Sequence, residues 1–121
     1  MSNLVAVYGS LRAGLHNHTV LGHAPYVSMG VVKGFGMYSL GAYPALTKEG
    51  VKCDVVVELY EVGSMDKLDH LEGFPQYYTR KQTKVDTPDG PVMAWVYYMK
   101  RKLTNPFVKC GDWKKYLKEV N

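Results

Sequence analysis

Three features of this 121-residue sequence predict one α+β domain in which strands dominate and helices are short. The first is an apolar run, Leu4-Val5-Ala6-Val7-Tyr8, ended by Gly9-Ser10, which reads as a buried strand leaving its sheet at a tight turn. The second is Thr87-Pro88-Asp89-Gly90 between strand-like runs at 77–86 and 91–99; Pro presets φ and Gly accepts φ > 0, so the segment reads as a hairpin. The third is that helical signals are confined to two short stretches, after Ser64 and after Asp112. At about 0.8 of a typical ~150-residue domain, the chain has room for one core over residues 1–121.

Between these landmarks the elements follow in order. Residues 14–23 are mixed and polar, with at most one helical turn around 19–21. Residues 26–40, punctuated by Gly30, Gly34 and Gly36, predict a bent strand pair in which glycines permit bulges. Residues 53–62 form a clear strand, whose Val55, Val57 and Leu59 are only imperfectly opposed by Asp54, Glu58 and Glu61, so its middle should be buried on both faces. Ser64 is placed to cap a helix that carries Asp66 in its first turn and stops at Gly73 and Pro75. Asp112 is placed to cap a closing helix with Trp113, Tyr116, Leu117 and Val120 on one stripe.

Composition excludes several classes of protein. A hydrophobic content of 46% with 21% charged residues, ten Tyr, three Phe and two Trp excludes a disordered or collagen-like chain. Surface scaling leaves about 6,600 Å² exposed of about 19,700 Å² in the extended chain, enough burial to fold without disulfide staples. Cys53 and Cys110 stand far apart, as two reduced structural thiols rather than a disulfide framework or zinc ribbon. The amino terminus lacks the basic region of a signal peptide. The longest uncharged stretch, 13–32, contains three His, an Asn and a Pro, so no membrane span is expected and the location is read as cytoplasmic. The net charge of +4 is concentrated in the last quarter, including Lys114, Lys115 and Lys118. A solvated helix face explains this more simply than a nucleic-acid site does.

Two segments could carry chemistry. On a helical wheel of about 100° per residue, Glu72 falls inside the apolar arc, between Met65 and Leu68. A carboxylate buried there, at the negative end of a helix dipole, would have its pKa raised toward neutrality, as a general base requires. The alternative is a Glu at a frayed helix end with its head in solvent. The other segment is Tyr8-Gly9-Ser10-Leu11-Arg12, where a glycine at a strand end lets backbone N–H groups converge on an anion. It lacks a P-loop lysine and the glycines flanking a nucleophile serine, so Ser10 is not read as a nucleophile. His16, His18 and His23 lie in an irregular segment with no carboxylate or Cys between residues 1 and 33, and are read as loop histidines rather than metal ligands.

Together these segments carry a resemblance. Val7-Tyr8-Gly9-Ser10-Leu11-Arg12, Tyr38-Ser39-Leu40-Gly41-Ala42-Tyr43-Pro44, Leu68-Asp69-His70-Leu71-Glu72-Gly73-Phe74-Pro75, Tyr78 with Arg80, and Gly111-Asp112-Trp113 resemble the γ-glutamylcyclotransferase-like family. The likeness is strongest to its small γ-glutamylamine cyclotransferase branch and bacterial or phage-type relatives. The resemblance implies a compact mixed β-barrel with short helices and a cavity mouth beside Gly9; the apolar first strand and the hairpin place residues 4–8 central in such a barrel. It further implies that the backbone of Tyr8, Gly9, Ser10 and Leu11 cradles a γ-glutamyl group, that Glu72 is the general acid/base and that Tyr78 lines the pocket. No metal or organic cofactor is expected, the partner is a small γ-glutamyl substrate, and a monomer is favoured. Two other readings are a non-catalytic ligand-binding member of the same fold and a basic nucleic-acid-binding protein.

Overall fold

The apolar amino-terminal run becomes strand β1 (Asn3–Val7), which lies between an antiparallel neighbour, β4 (Cys53–Val62), and a parallel one, β6 (Gly90–Tyr98). The computed structural model describes residues 3–120; Met1, Ser2 and Asn121, part of the domain expected over 1–121, lie outside the described residues. β1 is central, as expected, and is buried on both faces. Ala6 packs into the barrel interior with Val32, Val57, Leu59 and Val96, while Val5 and Val7 face an outer cluster with Leu68, Tyr78 and Met99. Two-sided burial explains why this strand reads as an unbroken apolar run rather than an alternating one.

The barrel closes through β2 (Tyr26–Ser39) and β5 (Thr79–Thr87): the order β2-β4-β1-β6-β5 returns to β2 by the pairs Val31↔Asp86 and Val32↔Val85. β3 (Pro44–Thr47), not anticipated from the sequence, adds a sixth strand on the outer side of β2. Residues 26–39 form one long bent strand, not the strand pair expected. Its register slips between Tyr26 and Ser28 and again between Val32 and Phe35, the second slip spanning Gly34 at φ 91°. That glycine takes up the bend locally, so no turn is needed to change direction. The β5–β6 hairpin forms with Thr87 paired to Gly90 and Pro88-Asp89 as the two-residue loop.

Helix α1 (Asp66–Glu72) starts one position later than a Ser64 cap would place it. Met65 holds the capping position, although Ser64 Oγ still accepts the Asp66 N–H at 3.1 Å. Helix α2 (Trp113–Val120) is capped as expected, Asp112 Oδ1 accepting the Lys115 N–H at 3.3 Å. Its apolar stripe fades outward, from a buried Trp113 to an exposed Val120. The fold exposes 6675 Å², close to the ~6,600 Å² expected for a single core of this size. Among the described residues no helix is long and apolar enough to cross a membrane.

Candidate active site

Where β1 ends, the chain turns across the rim of the barrel and bounds a cavity of about 220 Å³. At roughly 30 Å³ per water, that is the space of about seven waters. Its walls bring together Tyr8, Gly9, Ser10 and Leu11 from the turn, Glu72 from the end of α1, and Tyr78 from the segment before β5. All the residues singled out from sequence therefore face one space. Tyr97, Asn17, Tyr43 and Tyr77 add further polar side chains to its lining, to which the sequence alone assigns no role there.

The turn is held from outside the cavity. Arg12 is buried, its Nε donating to Glu58 Oε2 at 2.9 Å and its Nη1 to Asp112 Oδ1 at 2.8 Å. Glu58 Oε1 accepts the Ala13 N–H at 2.8 Å and the Tyr60 hydroxyl at 2.9 Å, and Lys114 Nζ stands 3.3 Å from Oε2. Burial by itself would raise the Glu58 pKa, but these donors outweigh it and hold the carboxyl below its ordinary value. On the other side of the turn, Asn17 Nδ2 donates to Ser10 Oγ at 2.9 Å, and the His18 Nδ1–H donates to the Leu11 carbonyl at 2.8 Å. The partner of the Ser10 hydroxyl is thus an amide and not a base, while His16 and His23 lie exposed in the same segment.

The turn's own hydrogen bonds use the amides of Arg12, Leu15 and Asn17 and leave those of Gly9, Ser10 and Leu11 out. Gly9 does not adopt a positive φ; it is required by close approach, since a Cβ there would stand 2.7 Å from Pro44 Cδ and 2.8 Å from Cγ. A side chain at this position must push the turn away from Pro44 and so deform the cavity wall. Gly9→Val is expected to weaken binding of 5-oxoproline, measured by calorimetry, by at least about tenfold, or about 1.4 kcal/mol. Unchanged affinity in a folded variant would place the ligand elsewhere.

Glu72 is the last residue of α1, before Gly73 in the left-handed conformation at φ 63°. The side chain is half-buried and lines the cavity, between the buried position and the solvent-exposed frayed end that the sequence allows. Protein surrounds the carboxyl closely enough that burial pushes its pKa up to about 7. Leu71, beside it, is 39% exposed, so the apolar arc of the helix is narrower than the wheel suggests. The surrounding tyrosines are occupied. The Tyr8 hydroxyl donates to the Tyr97 carbonyl at 2.8 Å, Tyr78 to the Pro44 carbonyl at 3.0 Å and Tyr97 to Asp69 Oδ1 at 2.6 Å. Burial is the main cause that raises the pKa values of both Tyr8 and Tyr78, with the neighbouring Tyr78 and then Glu72 adding to it at Tyr8 and Glu72 adding to it at Tyr78, so both stay neutral hydroxyls. At the mouth the hydroxyls of Tyr43 and Tyr77 share a hydrogen bond of 2.9 Å.

Residues 5–115 match the family model described as gamma-glutamyl cyclotransferase, AIG2-like. The chain belongs to this family. It is 36% identical over 115 residues to a Vibrio cholerae protein named "Putative gamma-glutamylcyclotransferase", covering 93% of this chain and 96% of that one. Among solved structures it is similar to an AIG2-like protein of Mus musculus, at TM-score 0.78 and 25% identity over 90% of this chain and 87% of that one. It also matches YkqA of Bacillus subtilis at TM-score 0.79 and 23% identity, all of this chain covering 44% of that longer one, a likeness of fold. The gamma-glutamyl cyclotransferase match spans the Gly9 turn, Glu72, Tyr78 and the strands that support them.

Proposed function

We propose that this protein is a cyclotransferase that converts a γ-glutamyl amide to 5-oxoproline and a free amine, with Glu72 as general acid/base. The observation that supports this most directly is the carboxyl held near neutrality in a small cavity that also contains the strand-end amides of Gly9, Ser10 and Leu11. A γ-glutamyl amide contains its own nucleophile, the α-amine, so the protein need not provide a Ser or Cys. Its task is to fold the substrate so that this nitrogen meets the γ-carbonyl, which lowers the barrier by several kcal/mol through proximity.

Glu72 accepts a proton from the α-ammonium as the new N–C bond forms, and delivers one to the departing nitrogen as the amide C–N bond breaks. The α-nitrogen loses two protons in all, and both end on the leaving amine; the ring nitrogen keeps one hydrogen. The amides of the Gly9 turn would hold the substrate carboxylate or the developing oxyanion, donors that need no reorganisation during reaction. Tyr78, its hydroxyl tied to Pro44, serves as a wall of the pocket and not as a proton donor.

No Lys, Arg or His lines the cavity among the described residues. A leaving amino acid would bring a second carboxylate beside the reacting nitrogen, where it would have no counter-ion. This favours a γ-glutamylamine, whose leaving group is an alkyl amine, over a γ-glutamyl peptide. The test offers a panel of γ-glutamyl alkyl amines and γ-glutamyl dipeptides to the purified chain and quantifies 5-oxoproline by mass spectrometry. Release from the alkyl amines is expected to exceed that from the dipeptides. Release from neither set would favour the non-catalytic binding reading, and dipeptides as the better substrates would overturn the amine assignment.

A further inference from the structure

Helix α1 has only seven residues, and a helix of that length is not stable by its own hydrogen bonds. Its apolar anchorage sits at its start, through Met65 and Leu68, whereas Leu71 is exposed. Glu72, at the far end, is thus on the half of the helix that hydrophobic packing holds least. Something else must fix it.

Asp69 supplies that hold. Arg80 of β5 grips the Asp69 carboxylate with two hydrogen bonds, Nε to Oδ1 at 2.8 Å and Nη2 to Oδ2 at 3.1 Å. The guanidinium is itself sandwiched between Phe74 and Trp95, 4.6 and 4.4 Å from the two ring centroids. The Tyr97 hydroxyl adds a third donor to Oδ1 at 2.6 Å. Main-chain bonds extend the same anchor, because the Asp69 carbonyl accepts the Phe74 N–H at 2.9 Å just beyond Glu72. Tyr97 also accepts the Tyr8 hydroxyl on its carbonyl at 2.8 Å. One residue of β6 therefore ties both halves of the site, the helix carrying Glu72 through its side chain and the start of the Gly9 turn through its main chain.

We propose that Asp69, clamped by Arg80 and Tyr97, is the positioning residue for Glu72, pinning the carboxyl-terminal half of α1 to the β5–β6 side of the barrel so that the Glu72 carboxyl stands over the cavity. This rests on the acid/base assignment of Glu72 above, but it is a statement about where a carboxyl is held and can be read without turnover. The groups facing Glu72 are Tyr8 after β1, Tyr43 before β3, Tyr78 before β5 and Tyr97 on β6, all neutral hydroxyls, and the Tyr77 hydroxyl at the mouth, with Asp69 and Arg80 as a neutralised pair nearby. Freeing the helix end should let the Glu72 carboxyl reach water and titrate at a lower pH.

Two charge-conserving variants test this: Tyr97→Phe removes one hydrogen bond to Asp69 and keeps the ring, and Arg80→Lys keeps the cation but loses the two-pronged grip. The Glu72 carboxyl is titrated by NMR of ¹³C-labelled glutamate, with assignment by Glu72→Gln, and melts confirm folding. In both variants the Glu72 midpoint is expected to fall by at least about one unit, with kcat down about 10- to 100-fold and KM within about twofold, the pattern of a misplaced catalytic group. Folded variants with the parent's Glu72 titration and kcat would overturn the assignment. A parent without turnover but with variant-sensitive Glu72 titration would leave the clamp standing and remove the cyclotransferase reading; an unmoved titration with a lowered kcat would remove the clamp alone.

Discussion

Glu72→Gln is expected to lower 5-oxoproline release by about 10² to 10⁴, the usual worth of a positioned acid/base, while ligand binding persists. Gln keeps the size and hydrogen-bonding capacity of Glu and deletes proton transfer, whereas Ala would also open a cavity. In the parent, kcat/KM should rise with pH through about 7 as the Glu72 carboxylate forms, and this limb should be absent from the residual activity of the variant. Stability supplies an independent check with the opposite sign. The folded pKa of Glu72 lies above its ordinary value of 4.5, so the folded state binds the extra proton and loses stability as pH rises from 4.5 through about 7. Glu72→Gln should therefore be more stable than the parent at pH 8, by up to about 3 kcal/mol, and the gap should close below pH 4.5. Equal turnover by the variant would remove Glu72 as the base. A melt at pH 8 showing no gain would contradict its desolvated position.

Arg12→Met should cost about 3 to 5 kcal/mol, because it strands the Glu58 carboxylate in the protein interior. Both side chains of that pair are about 5% exposed, so solvent screening offers little relief. For a chain of this length, about 4 °C of Tm accompanies each kcal/mol, so a fall of roughly 12 to 20 °C is expected. Lys114, 3.3 Å from Glu58, sets the loss toward the lower end. The double variant Arg12→Met/Glu58→Gln should recover much of the loss, since Gln keeps an acceptor for Ala13 and carries no charge to strand. A Tm within about 4 °C of the parent for Arg12→Met alone would show that the pair is not a significant support of the turn. Acid should act in the same direction. Glu58 titrates below its ordinary value when folded, so its contribution is present above about pH 4.5 and is lost as pH falls through the folded value.

How far these results were legible in advance depended on the range of the interaction concerned. The hairpin at Pro88-Asp89-Gly90, the strand at 53–62, the Asp112 cap and the placing of Glu72 on the inner arc of its helix all follow from residues within one turn or one strand of each other, where backbone preference and periodicity act directly. β3 is not legible in the sequence because Pro44–Thr47 is short and sits beside β2 only through tertiary pairing. The sequence does not distinguish one bent strand from a strand pair at β2, because whether a glycine makes a bulge or a turn is settled by the neighbouring strand, not by the glycine. Arg12 stands in the sequence as the last residue of the turn at 8–12, with no role of its own; its burial depends on Glu58 and Asp112, 46 and 100 residues away.

The wheel that singled out Glu72 also places Asp69 beside Met65, a second inner carboxylate that the sequence could have flagged. What it could not show is which of the two would be charged. Local pattern brings both to the same face of one helix, and by itself assigns them the same chemistry. The tertiary structure separates them by choosing their neighbours: Asp69 receives Arg80 and Tyr97, which outweigh its burial and hold it ionised, while Glu72 receives a cavity wall and is pushed toward neutrality. A pKa is set by what surrounds a group within a few ångströms, and those surroundings come from strands and turns far apart along the chain.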